Sequence, residues 1–370
     1  MLKRLHLKNF TVFADADFEF SPGLNVLVGT NGTGKSHVLK VGYAVLSALS
    51  KLLRWKDNGL DQISIESNFR KELHDKLSGV FQPEREDLRQ LVRWKTPQNE
   101  TVIDVEYSFD NLSKLSFSIS KAEAYKSLIK VNKQPEIGRI FNPVFIPAKE
   151  VLTLAWISRI LEYRDIPIDE TYTDLLNALR PFPLTKPEES TVSALVELEK
   201  IVGGTIKQAG ERFYLISEEG VQVEMDLVAE GIRKFGTLSQ LLANGSITKN
   251  TTLFWDEPEA NLNPLLLRKL AAILAELARQ GFQIILATHS MSLLKEFHIL
   301  SRQKEKGNLP IHYFGLNAEL GHATTLLMRK DFEYLPDVVA LTVELEQADD
   351  LEEIFVREDR EYYANNRGEE

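Results

Sequence analysis

Gly29-Thr30-Asn31-Gly32-Thr33-Gly34-Lys35-Ser36 is the stretch on which the reading of this chain turns. It fits G-x-x-x-x-G-K-[ST], the phosphate-binding loop, and its surroundings fit as well. Leu24 to Val28 reads as a mostly apolar strand before it. Leu39, Leu46, Leu49, Leu52 and Leu53 keep helical spacing after it, to about Trp55. The glycines let backbone N–H groups wrap phosphates, and the following helix adds its positive end. Lys35 is expected to reach the β- and γ-phosphates and Ser36 to bind Mg²⁺. ATP and Mg²⁺ are therefore the expected cofactors. Gly29, Thr30, Asn31, Gly32, Thr33, Gly34, Lys35, Ser36 and His37 are the expected nucleotide-binding residues.

Upstream, Leu5 and Leu7 alternate with His6 and Lys8 as in a half-buried strand. Phe18 to Phe20 reads as a second strand, and Ser21-Pro22-Gly23 as a turn. Asp15-Ala16-Asp17 is expected in a turn after Phe13, with a structural role. Downstream, residues 57 to 96 are polar and expected to mix helix with loops. Val102 to Phe109 and Leu115 to Ile119 alternate as a hairpin across Asp110-Asn111, and Val144 to Ile146 is a short buried strand. Residues 150 to 200 read as helical, broken by Pro181, Pro183 and Pro187. Phe213 to Ile216 and Val221 to Met225 read as a hairpin.

The last third returns to alternating helix and strand. A helix is expected from about Ile232 to Ala243. Thr251-Thr-Leu-Phe-Trp-Asp256-Glu257-Pro258 delivers two adjacent carboxylates to the C-terminal end of a strand, where open α/β sheets bind ligands. Asp256 is expected in the Mg²⁺ shell, and Glu257 as the general base that polarises the attacking water. Pro264 suits a helix start, Leu266, Leu270, Ile273, Leu274 and Leu277 give one apolar face, and Gly281 ends the helix. Ile284-Ile-Leu-Ala-Thr288-His289-Ser290 is a buried strand that ends in a histidine.

These motifs, in this order, resemble the ABC-type ATPases over residues 1 to 50 and 225 to 300. In that family ATP is sandwiched between two domains. One contributes the P-loop, the Asp-Glu pair and a switch histidine, and the other contributes a signature loop at a helix N-terminus. The resemblance implies Glu257, His289 and Lys35 as catalytic residues, with His289 sensing the γ-phosphate. It implies Ser36 and Asp256 as metal ligands. The signature candidate is Leu227-Val-Ala229-Glu230-Gly231-Ile-Arg233-Lys. Ala229 replaces the family's serine, so a hydroxyl contact to the γ-phosphate is missing, while the N–H groups of Glu230 and Gly231 remain. Glu259-Ala-Asn261-Leu-Asn263-Pro264 resembles the D-loop. Two positions compete for the Q-loop, Glu150 after the Val144 strand and Gln82.

The Asp-Glu-Pro-Glu-Ala-Asn-Leu spelling is closer to the SMC, RecF and OLD branch than to transporters, as is Asn9-Phe10, although Thr11 stands where that branch often has arginine. No long heptad run is present. Phe145 to Glu150 is similar to the ATPase subunits of bacterial anti-phage defence systems such as PARIS and Septu. That likeness implies a homodimer or larger homo-oligomer, a separate nuclease or toxin effector, and a phage-encoded trigger. A RecF- or SMC-like ATPase that clamps DNA is the second reading.

The expected fold is α/β, an ABC-ATPase-type P-loop domain with a mixed sheet, an antiparallel β subdomain and a helical insertion lobe. The expected division is 1–149 and 226–330 for the ATPase lobe, 150–225 for the insertion lobe and 331–370 for an acidic tail. With 370 residues, 43% of them hydrophobic, the chain can build a large core. It has no cysteine, which fits a reducing compartment, and no apolar run of the roughly 20 residues a membrane span requires. A cytoplasmic protein without a membrane partner is expected. From Glu344 to Glu370 eleven Asp/Glu face three Arg, so −8 of the net charge of −10 sits in the tail and the body is nearly neutral at −2. A sequence-blind DNA binder usually carries a basic surface instead. The seven histidines are dispersed, without metal-binding spacing.

Overall fold

A computed structural model describes residues 1–94, 97–108, 112–122, 128–136, 138, 143–154, 168–210, 212–319, 321–335, 346–347 and 349–359. The chain opens with β1 (Leu2–Phe10), β2 (Phe13–Glu19) and β3 (Leu24–Gly29), then α1 (Lys35–Ser50), the short α2 (Leu52–Asp57) and α3 (Gln62–Phe81). β4 (Glu100–Ser108), β5 (Leu112–Ser120), β6 (Ile129–Lys133) and β7 (Val144–Ile146) follow, then α4 (Glu170–Leu179) and α5 (Val192–Val202). After β8 (Thr205–Ala209), β9 (Arg212–Ile216) and β10 (Gln222–Glu224) come α6 (Glu230–Ala243), β11 (Thr252–Asp256), α7 (Pro264–Arg279) and β12 (Gln283–Thr288). α8 (Met291–Arg302), β13 (Ile311–Asn317) and β14 (Thr325–Arg329) complete the core.

Three sheets result. The central one has the order β14-β13-β3-β12-β11-β7, parallel except for β14. A five-stranded antiparallel sheet runs β2-β1-β4-β5-β6, and a small one runs β10-β9-β8. The inner strands β3, β12 and β11, with β7, are buried on both faces, so they read as continuous apolar runs rather than as alternation. Their side chains still divide by the pleat. Val26, Val28, Leu253, Trp255, Ile284 and Leu286 enter one core with α4 to α8, and Leu27, Phe254, Ile285 and Ala287 enter another with α1, α3 and the antiparallel sheet.

α1 lies between two sheets, which explains why Val38, Val41, Ala44, Val45, Ala48 and Leu49 leave it apolar almost all round. Gly42 permits the closest approach, because a Cβ there would stand 3.0 Å from the Phe254 ring and 3.3 Å from Leu2. α3 is built oppositely. Asp61 caps its N-terminus by accepting from Ser64 N–H, and its buried apolar residues are limited to Ile65, Phe69, Leu73, Leu77 and Val80.

Two buried amides fasten the antiparallel sheet to the central one. Gln283 Nε2 donates to the carbonyls of Leu2 (2.7 Å) and Ser21 (3.0 Å), and its Oε1 accepts from Leu2 N–H and Thr252 Oγ1. Asn25 Nδ2 donates to the carbonyls of Ser21, Gly23 and Ile284, and Oδ1 accepts from Ser21 N–H.

Several expectations are corrected. Asp15-Ala16-Asp17 lies within β2 rather than in a turn, where Asp15 pairs with His6 and Asp17 with Arg4 across β1. Strands β6, β8, β13 and β14 were not foreseen. The hairpin of β4 and β5 forms with Ser108 opposite Leu112, while its expected Asp110-Asn111 turn lies outside the described residues. The helical stretch expected from 150 resolves into α4 and α5, with 155–167 outside the described residues, as are 336–345, 348 and 360–370 of the tail. Among the described residues no helix is long and apolar enough to cross a membrane.

Replacing Gln283 by Leu leaves two backbone carbonyls, a backbone N–H and a threonine hydroxyl buried without their partner. The expected loss is about 3 kcal/mol of stability, read as a lowered denaturation midpoint with unchanged m-value.

Candidate active site

The parallel pairing fixes where the chemistry collects. Val28 lies opposite Thr288, and Asp256 opposite Ala287, so β3, β12 and β11 end in register. β7 pairs alongside β11 and leads into Pro147 to Glu150. The phosphate loop, His289, the Asp256–Glu257 pair and Glu150 therefore lie in a row at the C-terminal edge of one sheet, in the strand order β3-β12-β11-β7.

The loop itself is folded around its lysine. Gly32 and Gly34 take φ of 83° and 90°, a region that glycine enters without strain. Thr33 Oγ1 donates to Thr30 C=O at 2.9 Å. Thr30, Asn31 and Gly32 are exposed, while Lys35 is buried and its Nζ donates to Gly29 C=O (2.7 Å) and Thr30 C=O (2.9 Å). Gly34 occupies the N-cap of α1, and among the described residues no side chain caps the first N–H groups of the helix. The β1–β2 turn closes over Gly34, where a Cβ would stand 2.5 Å from Val12 Cγ2 and 2.8 Å from the Phe13 ring. His37 turns its ring away from the loop tip. Its Nδ1 lies 3.0 Å from Thr11 Oγ1 and its ring packs on Phe81, so only its backbone serves an anion at the helix start. Burial lowers the His37 pKa, with Lys40 adding to it.

Charges here are desolvated. Burial lowers the Lys35 pKa, opposed by Asp256, Glu257 and Glu259. Burial raises that of Asp256, whose carboxylate accepts a hydrogen bond from Ser36. Ser36 and Asp256 supply one hydroxyl and one carboxylate, a donor set that suits Mg²⁺, which takes few protein oxygens and retains water. Glu257 has φ of 47°, uncommon for a residue with a side chain, and its N–H donates to Ala287 C=O. His289 Nδ1 stands 3.4 Å from Glu257 Oε1.

Glu259, Lys234 and Arg233 join the site; the sequence reading placed them within the D-loop and signature stretches without assigning them individual roles. Buried Glu259 accepts from Thr288 Oγ1 (2.6 Å) and His289 N–H (3.2 Å), which pins His289 to the turn after Glu257. Lys234 Nζ reaches Glu257 C=O at 3.3 Å, and burial lowers its pKa against the pull of Glu259, Glu230, Glu257 and Glu150. Arg233 pairs with Glu150 at 3.2 Å, while burial raises the Glu150 pKa. The available signal was register, since Lys234 follows Gly231 by three and shares its buried face with Phe235 and Leu238. Gln82, the rival Q-loop residue, caps α3 and donates to the carbonyls of Gly79 and Ile168.

Ala229, Glu230 and Gly231 stand apart from the row. Ala229 is the exposed N-cap of α6, with no side-chain cap, and Glu230 accepts from Asn261 Nδ2 at 2.8 Å. Gly231 lies close to the carbonyl of Asn261. Among the described residues, no hydrogen bond or ion pair joins 229–231 to the phosphate loop. Asn263 takes the N-cap of α7, accepting from Leu266 N–H at 2.9 Å.

Comparison with known proteins gives the family and the fold. The family described as "AAA domain, putative AbiEii toxin, Type IV TA system" matches residues 24–295, and a second, described as "AAA domain", matches 4–41. The DNA replication and repair protein RecF of Desulfitobacterium hafniense is 39% identical over a stretch covering 15% of this chain and 18% of that protein. RecF of Streptococcus uberis is 48% identical over 11% of this chain and 12% of its own length. The chain thus spans under a fifth of these relatives. Among solved structures, the Smc head bound to the C-winged helix domain of ScpA is 14% identical, with TM-score 0.51, over 89% of this chain and 97% of that one. An Smc head with an extended coiled coil, bound to the C-terminal domain of ScpA derived from Pyrococcus furiosus, is 11% identical, with TM-score 0.51, over 94% and 99%. At these identities the likeness is one of fold.

The pKa directions set a pH profile. Because the Asp256 pKa is raised, the free protein loses that charge on acidification earlier than an ordinary aspartate would. Because the Lys35 pKa is lowered, it loses its charge on alkalinisation earlier than an ordinary lysine. The kcat/KM for ATP hydrolysis, measured across pH at saturating Mg²⁺, is expected to fall above the ordinary aspartate range on the acid side and below the ordinary lysine range on the basic side.

Proposed function

The chain belongs to the AAA domain family described as putative AbiEii toxin, Type IV TA system, and from that premise we propose that it is the ATP-binding and ATP-hydrolysing subunit of an anti-phage defence complex. Two copies close head-to-tail around ATP and control a separate nuclease or toxin effector in response to a phage-encoded trigger. In family and fold the chain is an ABC/SMC-like AAA-class ATPase. The observation that carries the proposal is the division of the site. The phosphate loop, Asp256, Glu257 and His289 share one strand edge, while the uncapped start of α6 is bonded to the Asn261 turn instead. A second copy would bring its Ala229 to Gly231 N–H groups to the open side of the first copy's nucleotide.

In this reading Lys35 exchanges its bonds to Gly29 and Thr30 carbonyls for the β- and γ-phosphates. The N–H groups at the start of α1 receive phosphate oxygens. Ser36 and Asp256 would hold Mg²⁺, which when bound would supply positive charge against the phosphates. Glu257 accepts a proton from the attacking water as the new O–P bond forms at the γ-phosphorus, and the bond to the ADP oxygen breaks. His289, placed by Glu259, donates to the γ-phosphate. Ala229 brings no hydroxyl, so the partner stabilises the transferring group through backbone N–H alone and turnover is slow.

The defence role is supported by the family description, which names a putative toxin of a type IV toxin–antitoxin system. A RecF- or SMC-like ATPase that clamps DNA is the second reading, favoured by the 39% identity to RecF. It calls for a basic surface, and the body of this chain carries a net charge of only −2.

Lys35→Ala is expected to abolish ATP binding. Glu257→Gln should retain ATP, lower kcat by about 10²–10⁴ and accumulate a closed dimer, read by light scattering with Mg-ATP. Wild-type hydrolysis by Glu257→Gln would remove the base assignment. Ala229→Ser is expected to raise kcat with KM little changed. An effector that co-purifies with tagged Glu257→Gln and not with Lys35→Ala supports the defence reading; DNA with repair proteins in its place supports the clamp.

A further inference from the structure

Residues 349–359 form a helix of which every residue is exposed. Leu351, Ile354 and Phe355 follow i, i+3, i+4 and therefore share one face, with Val356 beside it. Their exposures are 54%, 39%, 62% and 44%. An isolated helix of this length is marginal in water, and most helical stability comes from packing an apolar face. The remaining positions decide what can cover the stripe. Asp349, Asp350, Glu352, Glu353, Glu358 and Asp359 oppose only Arg357. The groove between α5 and α7 is a poor receiver on the same or a second copy. Its floor includes Ile201 and Ile273, but Glu197 and Glu276 line it beside Lys269. Like charges across such a contact are destabilising.

We propose that the 349–359 helix is a docking element that lays Leu351, Ile354 and Phe355 into an apolar groove rimmed by Lys and Arg on a different polypeptide. The inference rests on the proposed function, in which the ATPase works with a separate protein, and it identifies the contact surface and its chemistry. Helix-in-groove recognition takes its affinity from such i, i+3, i+4 anchors, and the flanking carboxylates supply orientation and on-rate.

The test uses the full chain with Glu257→Gln and a photo-crosslinking residue at position 355, irradiated in native host cells with the adduct mapped by mass spectrometry. The expected adduct joins a different polypeptide at apolar residues flanked by Lys or Arg. With that polypeptide purified, Phe355→Ala should weaken binding at least tenfold, and Glu352→Lys/Glu353→Lys should do the same and flatten its salt dependence. ATP hydrolysis and assembly size should stay unchanged in both. An adduct within this chain or to a second copy, an adduct on an acidic or uncharged surface, or no adduct overturns the proposal. If an effector still co-purifies with Glu257→Gln after those results, the docking helix fails alone. If nothing co-purifies, the effector reading fails with it.

Discussion

The hydrogen bonds that hold β12 between β3 and β11 are the constraint on which the rest of the structure depends. They end three parallel strands in register, so that Gly29, Thr288 and Asp256 leave the sheet side by side. A slip of one residue would turn every side chain to the other face and move Asp256 away from Ser36. The turn after β11 continues the same alignment. Glu257 N–H bonds to β12, and Glu259 reaches back to Thr288 and His289. One carboxylate thus holds His289 against the turn that carries Glu257.

The site also keeps like and unlike charges in a poorly hydrated space. Lys35 and Lys234 are buried cations, Asp256 is a half-buried anion, and burial shifts each away from its charged form. They remain tolerable because each has a partner. Lys35 sits on two loop carbonyls, Asp256 on Ser36, and Lys234 on the Glu257 carbonyl. A phosphate arriving at the loop offers Lys35 a better acceptor than a neutral carbonyl, since charge-assisted bonds are about twice as strong. The resting geometry is therefore a cation waiting in its own loop.

The antiparallel sheet acts on the loop from the opposite side. Its β1–β2 turn touches Gly34 through Val12 and Phe13, and Gln283 and Asn25 tie its base to the central sheet. Hairpin, α1 and central sheet therefore share one core, and the phosphate loop is held between two layers that are locked together.

Much of this was legible in the sequence because it is local. The glycines at 32 and 34 are required by backbone conformation, and Pro264, Gly281 and Ser290 mark helix ends by local rules. The Asp256–Glu257 pair is placed by the apolar strand before it. Tertiary structure alone decided what depends on partners distant in the chain. Gln283 meets Leu2 across 281 positions, Glu259 meets Thr288, and Glu150 meets Arg233. β13 and β14 exist because β3 offers an edge to pair with. α3 was obscured because its stripe of buried residues is narrow and its composition polar. The sequence by itself determined where the phosphate-loop motif and the paired carboxylates fall, since those needs are set by backbone geometry and residue type. How those groups are held, which cations are buried beside them and where His37 turns its ring follow from side chains that meet only once the sheets have packed.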